Sequence, residues 1–142
     1  MEAALAEARR AHDSGEVPVG AAVAVGGQVV SHAHNETVAR RDLTQHAELL
    51  VIQRAMAVLA SDRLDDATLY VTLEPCAQCA GAIVLARVGR VVFGAYDPKA
   101  GMAGSVGDLL RHPKLNRRPE VMGGVMETAC GELLREFFEA RR

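Results

Sequence analysis

The chain has 142 residues, 49% of them hydrophobic, which is enough to bury one compact core, and we expect a single domain spanning residues 1–142. Its formal net charge of −2 argues against a general nucleic-acid binder, and no apolar run approaches the ~18 residues of a membrane span. Three cysteines and an N-terminus without a basic-then-apolar leader predict a cytoplasmic protein rather than a secreted, disulfide-bonded one.

The N-terminal part of the chain predicts a helix followed by a hairpin. Residues 1–13 are rich in alanine, glutamate and arginine, and their apolar side chains recur at helical spacing, which predicts the first helix. Two β-favouring runs, 20–25 and 28–31, are joined by Gly26 and Gly27. Because glycine tolerates positive φ at both turn positions, this pattern predicts a β-hairpin.

The middle of the chain predicts a second helix, a strand and a third helix. The second helix is expected to be capped by Asp42 or Thr44, which puts His46 in its first turn. The β-branched and apolar run 68–73 predicts the next strand. A proline suits the entrance to the third helix, 76–87, which is rich in small apolar residues.

The last part of the chain predicts two strands around a long loop, and then a helix. Residues 91–93 predict a buried strand and 120–125 a weaker one. The loop 97–118 is long enough to indicate a function, with one helical turn expected near 108–111. The final helix has an apolar stripe formed by Cys130, Leu133, Leu134, Phe137 and Phe138. Together, the alternating elements predict a mixed α/β sheet covered on both faces.

Two motifs about thirty residues apart contain the side chains of a catalytic zinc site. His46 and Glu48 belong to the first motif, and Cys76 and Cys79 to the second. One imidazole and two thiolates are typical zinc ligands, and a catalytic site leaves the fourth position for water. Both motifs fall at predicted helix starts, where positive charge favours thiolates, and one helical turn lets both sulfurs face one ion. Glu48 is then the group that moves protons.

Each motif alone has other interpretations. A lone C-x-x-C is also the pattern of a redox pair, although that hypothesis expects a thioredoxin-type setting and does not account for His46 and Glu48. A lone histidine or cysteine is more often a packed side chain than a ligand. A zinc-stabilised binding module without catalysis is a third hypothesis. The joined pattern favours the catalytic site over the first two, and the binding module stays open as a hypothesis.

The joined pattern also resembles a known family. H-A-E at 46–48 and P-C-A-Q-C at 75–79 match the H-x-E and P-C-x-x-C signature of zinc-dependent nucleobase deaminases. From about Glu16 to the last residue, the chain is similar to the bacterial tRNA-specific adenosine deaminases. The segments with the most similarity are 16–20, 66–76, 79–82, 89–95, 103–105, 112–113 and 137–138.

This resemblance implies a fold, a reaction and a set of roles. The family has the cytidine-deaminase-like fold, a three-layer α/β/α arrangement with a mixed sheet of about five strands, and works as a homodimer. It converts adenosine to inosine at the wobble position of a tRNA anticodon by zinc-dependent hydrolytic deamination. By position, His46, Cys76 and Cys79 take the roles of zinc ligands, one Zn²⁺ per subunit, and Glu48 shuttles protons.

The resemblance also implies contacts with the RNA. Asn35 matches an asparagine that contacts the flipped-out nucleotide, and Asp97 matches an aspartate near a sugar of the anticodon loop. Phe137 and Phe138 match an aromatic pair close to the RNA. Considered without the resemblance, Asn35 is equally a turn residue, Asp97 an ordinary loop start and at least one phenylalanine part of the core.

A second function remains open at this point. A deaminase of a free base or nucleoside, such as cytosine or guanine, shares the zinc site and needs only a small closed pocket. For a tRNA enzyme, the basic segment 111–118 and the long loop are expected to line the anticodon stem-loop. Gln78 stands where methionine is common in the family and Tyr96 where a basic residue is frequent, and neither change removes a ligand.

Overall fold

A computed structural model describes residues 1–115 and 117–142, so Asn116 in the predicted long loop lies outside the described residues. The centre of the molecule is a five-stranded sheet. Its strands are β1 (Gly20–Val25), β2 (Gln28–His34), β3 (Ala67–Leu73), β4 (Arg90–Ala95) and β5 (Glu120–Met122). They lie in the order β2-β1-β3-β4-β5. β1 runs antiparallel to β2 and β3, whereas β3, β4 and β5 are parallel, so the predicted mixed sheet is confirmed.

Four helices cover this sheet. They are α1 (Glu2–Asp13), α2 (Ala47–Leu59), α3 (Ala77–Leu85) and α4 (Glu127–Glu139). α1 and α4 contact each other and pack against one face, while α2 and α3 contact each other on the opposite face. The three-layer α/β/α arrangement is therefore confirmed. Within the part of the chain that is described, every helix is too short or too polar to cross a membrane.

The larger part of the core lies between the sheet and the α2–α3 layer. Leu69 and Val71 of β3 and Phe93 of β4 are buried against Ile52 of α2 and Ile83 of α3. Burying a side chain of this size stabilises the fold by about 1.5–3 kcal/mol. A smaller cluster on the other face includes Leu5, Ala95 and Cys130. The helices α2 and α3, whose starts carry the predicted metal ligands, therefore pack on the larger part of the core.

The hairpin is formed as predicted. Gly26 and Gly27 have φ of 58° and 79°, and Val25 pairs with Gln28 across the turn. β2 continues to His34, further than the sequence predicted, because its last residues keep pairing with the start of β1. This longer strand leads directly into the loop that holds Asn35.

The predicted cap of the second helix is wrong. α2 begins at Ala47, and its N-cap residue is His46, which has extended backbone angles of −80° and 153°. Asp42 instead closes a local turn, in which its carboxylate accepts hydrogen bonds from Thr44 and from the side chain of Gln45. These bonds satisfy the polar groups before the helix starts and leave His46 at the exposed N-terminal end.

Two predictions in the long loop and after it also differ from the structure. The helical turn expected at 108–111 is instead a bend, in which Asp108 pairs with Ala103 as an isolated bridge. The last strand ends at Met122 rather than continuing to residue 125. Two glycines follow it, and the positive φ of 81° at Gly124 turns the backbone away from the sheet direction.

Candidate active site

The start of α2 and the start of α3 bring the predicted metal ligands together. His46 is the N-cap residue of α2, Cys76 is the N-cap residue of α3, and Cys79 follows in the first turn. The Nδ1 atom of His46 lies 3.5 Å from the Sγ atom of Cys76 and 3.5 Å from that of Cys79. All three ligand atoms lie within 4.8 Å of one another. Residues separated by thirty positions thus share one small volume.

The donor set fits zinc. Two sulfurs and one imidazole nitrogen are the ligands that zinc prefers, and bonds of about 2.0–2.3 Å from a common centre separate such atoms by distances close to those observed. Among the described residues, this is the one group of three or more His, Cys, Asp or Glu side chains with that spacing. The third cysteine, Cys130, lies on α4 and is buried in a different cluster with Leu5 of α1 and Ala95 of β4.

The two thiols have opposite pKa shifts. Hydrogen bonds from Cys79 and then His46 lower the pKa of Cys76, so its thiolate is the favoured form. The hydrogen bond to that thiolate, together with burial, raises the pKa of Cys79. The hydrogen bond to Cys76 also raises the pKa of His46. A dication between them would remove the remaining protons, because coordination favours the thiolate and the neutral imidazole.

Glu48 is buried beside this group and is not part of it. It lies in the first turn of α2 with 4% of its surface exposed. Burial raises the pKa of Glu48 to about 7. A carboxylate with a pKa near neutrality is suited to accept a proton and to return it, which is the requirement for general acid–base catalysis. A nearby dication would counteract the shift, because positive charge favours the ionised carboxylate.

Asn35 is fixed by the start of α2. Its side-chain oxygen accepts a hydrogen bond of 2.8 Å from the backbone N–H of Ala47. The helix therefore receives its N-terminal hydrogen bond from a distant asparagine, since the side chain of His46 makes none. Because the oxygen of Asn35 is engaged in this way, the amide nitrogen is the atom that can donate toward the neighbouring cavity.

A cavity of about 700 Å³ opens beside His46. Asn35 lies in its wall, and so do Asp97 and Lys99 from the loop after β4. Asp97 also closes a turn, because its Oδ1 accepts hydrogen bonds from the backbone N–H groups of Lys99 and Ala100. The apolar part of the wall consists of Val17, Val19, Leu43, Leu73 and Leu134. The cavity thus combines apolar walls with a few polar groups, as small-molecule sites do.

The aromatic pair at the end of α4 is divided between core and cavity. Phe137 is 5% exposed, contacts His12 edge-on and lies under the guanidinium group of Arg141, 3.4 Å from the ring centre. Phe138 is 50% exposed and lines the cavity. The structure therefore brings Phe138 to the site and leaves Phe137, the predicted contact, behind it.

Sequence reasoning missed some residues of the cavity and overstated others. Lys99 lines the cavity and was not predicted, and its only sequence signal is its position two residues after Asp97. Tyr96, noted in the sequence only as a departure from the family pattern, also lines the cavity. The basic segment is partly neutralised, because Arg111 pairs with Asp108 at 2.7 Å. That segment does not contribute to the cavity wall among the residues described.

The fold and the ligand group together define the class of hydrolytic nucleobase deaminases with the cytidine-deaminase-like fold. Residues 1–142 match the profile of the MafB19-like deaminases. The chain is 47% identical over 142 residues to the tRNA-specific adenosine deaminase of Bacillus subtilis, covering 100% of this chain and 88% of that protein.

Two solved structures are similar as well. One comes from a study of A-to-I editing by tRNA:A34 deaminases, with a TM-score of 0.90 and 43% identity over 94% of this chain and 97% of the other. The guanine deaminase of Bacillus subtilis has a TM-score of 0.65 and 30% identity over 99% of this chain and 90% of the other. The chain belongs to the MafB19-like deaminase family and, within it, to the bacterial tRNA-specific adenosine deaminases.

Proposed function

We propose that this protein converts adenosine to inosine at the wobble position of a tRNA anticodon by hydrolytic deamination. One observation supports this function most strongly: the group formed by His46, Cys76 and Cys79 lies beside a buried Glu48 and an open cavity, in a chain 47% identical to a tRNA-specific adenosine deaminase. The named relative acts on the same base in the same kind of RNA.

We infer that His46, Cys76 and Cys79 hold one zinc ion. When bound, zinc supplies a Lewis acid that activates the attacking water. The two thiolates balance the charge of the dication, and the imidazole binds as a neutral ligand. The start of each helix stabilises negative charge through its unpaired N–H groups, which favours the thiolate forms that the ion needs.

Glu48 moves the protons of the reaction. Its carboxylate takes one proton from the water whose oxygen bonds to C6 of adenine, and delivers a proton to N1 of the ring. The second proton comes from the hydroxyl added at C6 and passes to the amine through Glu48. The C6–N bond then breaks, the amine leaves as ammonia, and the product is inosine, so that adenosine and water give inosine and ammonia. A group that both accepts and returns protons must not be a metal ligand, and the position of Glu48 outside the ligand group supports this role.

Asn35, Asp97 and the aromatic pair are assigned to the nucleotide. The amide nitrogen of Asn35 is oriented to donate to an acceptor on the base, since its oxygen is engaged by the helix. We assign Asp97 and Lys99, which are in the cavity wall, to the ribose and its phosphate. Phe138 offers a stacking surface, and Phe137 supports it from behind by an edge-on contact of 5.3 Å.

The open cavity favours an RNA loop over a free base. An enzyme for free bases needs a small closed pocket, whereas this cavity of about 700 Å³ has the exposed Lys99 and the half-exposed Phe138 in its wall. A base in an anticodon loop is already unpaired, so little energy is required to place it in such a cavity. The more distant match to a guanine deaminase keeps free-base deamination as the second candidate.

We also propose that the protein works as a homodimer in the cytoplasm. The dimer follows from the resemblance to the family. Sedimentation of the purified chain at twice the monomer mass is the expected result for the dimer.

The cytoplasmic location follows from the proposed tRNA substrate and from three cysteines that form no disulfide.

The function is tested with an anticodon stem-loop RNA that has adenosine at the wobble position. We expect inosine at that position, and kcat/KM values for free adenosine, cytidine and guanine at least about two orders of magnitude lower. The matched control RNA has the same composition with the adenosine moved into the paired stem, where it is stacked and should not react. Turnover of a free base or nucleoside as efficient as that of the stem-loop would contradict the proposal.

A further inference from the structure

A buried carboxylate next to the ligand motif has no part in the proposed chemistry. Glu74 is 2% exposed and lies two residues before Cys76. Its Oε1 accepts hydrogen bonds from the backbone N–H of Asp97 at 3.0 Å and from the hydroxyl of Ser105. Its Oε2 accepts from the backbone N–H groups of Ala103 at 3.0 Å and Ser105 at 3.1 Å. All four donors come from one segment, residues 97–105, which we call the rim loop.

The rim loop closes tightly around this carboxylate. A Cβ atom at Gly101 would overlap the carboxyl group of Glu74, so the backbone passes where no side chain fits. A second bond ties the loop to the same stretch of chain, since the N–H of Met102 donates to the carbonyl of Pro75 at 2.8 Å. The rim loop is therefore wrapped around residues 74 and 75, and the carboxylate is at the centre of the contact.

The rim loop also forms one side of the cavity. Asp97 and Lys99, which line the cavity, belong to it. The stretch that it wraps leads without a break into Cys76, the first residue of the cysteine motif. One short stretch of chain thus sets the position of a metal ligand and of the loop that faces the substrate.

We propose that Glu74 is a positioning residue that orders the rim loop for RNA binding, an inference that rests on the proposed function. Glu74 is buried and does not line the cavity, so it acts through Asp97 and Lys99 rather than on the RNA. A loop that is ordered before binding loses less conformational entropy when the RNA arrives. The effect of Glu74 should therefore appear in the binding of the stem-loop and not in the chemical step.

The arrangement requires a carboxylate. Every group that faces Glu74 in the rim loop is an N–H or O–H donor, and glutamine would direct its own N–H₂ group at two of them. In Glu74→Gln, we expect KM for the anticodon stem-loop to rise about tenfold, the effect of about 1.4 kcal/mol in binding. We expect kcat to remain within about threefold and the zinc content to be unchanged, because no ligand or proton carrier is altered.

The experiment compares steady-state kinetics and hydrogen exchange of residues 97–105 in four proteins: the wild type, Glu74→Gln, Ser105→Ala and Glu7→Gln. Ser105→Ala removes one of the four bonds and should raise KM less, in the same direction. Glu7 is the matched control, since it is also a buried carboxylate, but it accepts its bonds from Arg10 of α1 and from His32 and His34 of β2. Glu7→Gln should unfold at a lower temperature without a change in KM or in exchange of the rim loop.

Several outcomes would overturn this inference. An unchanged KM in a folded Glu74→Gln protein would show that the residue serves stability alone, as would an equal rise of KM in Glu7→Gln. If Glu74→Gln does not fold, an unchanged KM in Ser105→Ala has the same meaning. A wild type that does not deaminate the stem-loop refutes the proposed function instead. In that case, hydrogen exchange of the rim loop tests whether Glu74 anchors it. Faster exchange in Glu74→Gln alone supports the anchoring role, and equal exchange in all four proteins refutes it.

Discussion

At the scale of single residues, the proposed chemistry depends on one carboxylate, Glu48, that lies outside the proposed ligand group. Glu48→Ala should retain zinc and the fold, because His46, Cys76 and Cys79 are untouched. Its kcat should fall by about 10²–10⁴-fold, the usual effect of losing a general acid–base group. Zinc analysis and single-turnover kinetics on the stem-loop provide the measurement. The control is Glu127→Ala, an acid in the first turn of α4, which should behave as the wild type.

Asn35 and the aromatic pair Phe137 and Phe138 show what sequence alone could not determine. The orientation of the Asn35 amide depends on the hydrogen bond that its oxygen accepts from the N–H of Ala47. No local sequence pattern predicts this contact, because the loop with Asn35 and the start of α2 are twelve residues apart. Phe137 and Phe138 are both compatible with the apolar stripe of α4. The rotation of that helix against the sheet decides that the first is buried and the second exposed. By contrast, H-x-E and P-C-x-x-C predicted a zinc-dependent deaminase, and the further similar segments predicted the tRNA-specific enzymes. The match to the deaminase family and the 47% identity to a tRNA-specific adenosine deaminase confirm both predictions.

At the scale of elements, Glu16 is a further buried glutamate, and it holds the loop on the other side of the cavity from the rim loop. Glu16, between α1 and β1, accepts hydrogen bonds from the hydroxyl of Thr37 and from the N–H groups of Val38 and Ala39. Burial alone would raise the pKa of Glu16, but these bonds outweigh it and hold the pKa below its ordinary value of 4.5. The charged carboxylate therefore stabilises the folded state.

This shift predicts a pH dependence of stability. Because the folded pKa of Glu16 is depressed, its contribution is present above pH 4.5 and is lost as the pH falls through the folded value. Glu16→Gln should lower the free energy of unfolding by about 1–3 kcal/mol at neutral pH. The difference from the wild type should shrink steadily below pH 4.5 in urea unfolding. A difference that stays constant down to pH 3 would refute the role of the charge.

The elements themselves were predicted well where the signal is local. The pair of glycines at 26 and 27 correctly predicted the hairpin turn, and the apolar stripe correctly predicted α4. The start of α2 was not predictable from capping preference, because Asp42 makes its bonds within a preceding turn and Asn35 caps the helix from another part of the chain. The end of β5 was not predictable either, because it depends on the backbone angles of the two glycines that follow it.

At the scale of the whole molecule, the sheet order explains where the site lies. β3 and β4 are parallel neighbours, and their carboxyl ends lead into Glu74 and Tyr96, so the cysteine motif and the rim loop leave the sheet at the same edge. Ligand sites of parallel sheets lie at this edge. α2, placed over the hairpin strands, brings His46 to the same place. The sequence could predict the alternation of elements but not this order, because strand pairing is non-local.

We propose that His46, Cys76 and Cys79 hold one metal ion through an imidazole and two sulfurs, with no fourth side chain as a ligand. X-ray absorption at the zinc edge, on protein purified without chelators, tests this most directly. We expect one zinc per chain with two sulfur neighbours and a single histidine, and the same spectrum in Glu48→Ala. A chain that contains no zinc, or a metal surrounded by four protein side chains, would contradict it.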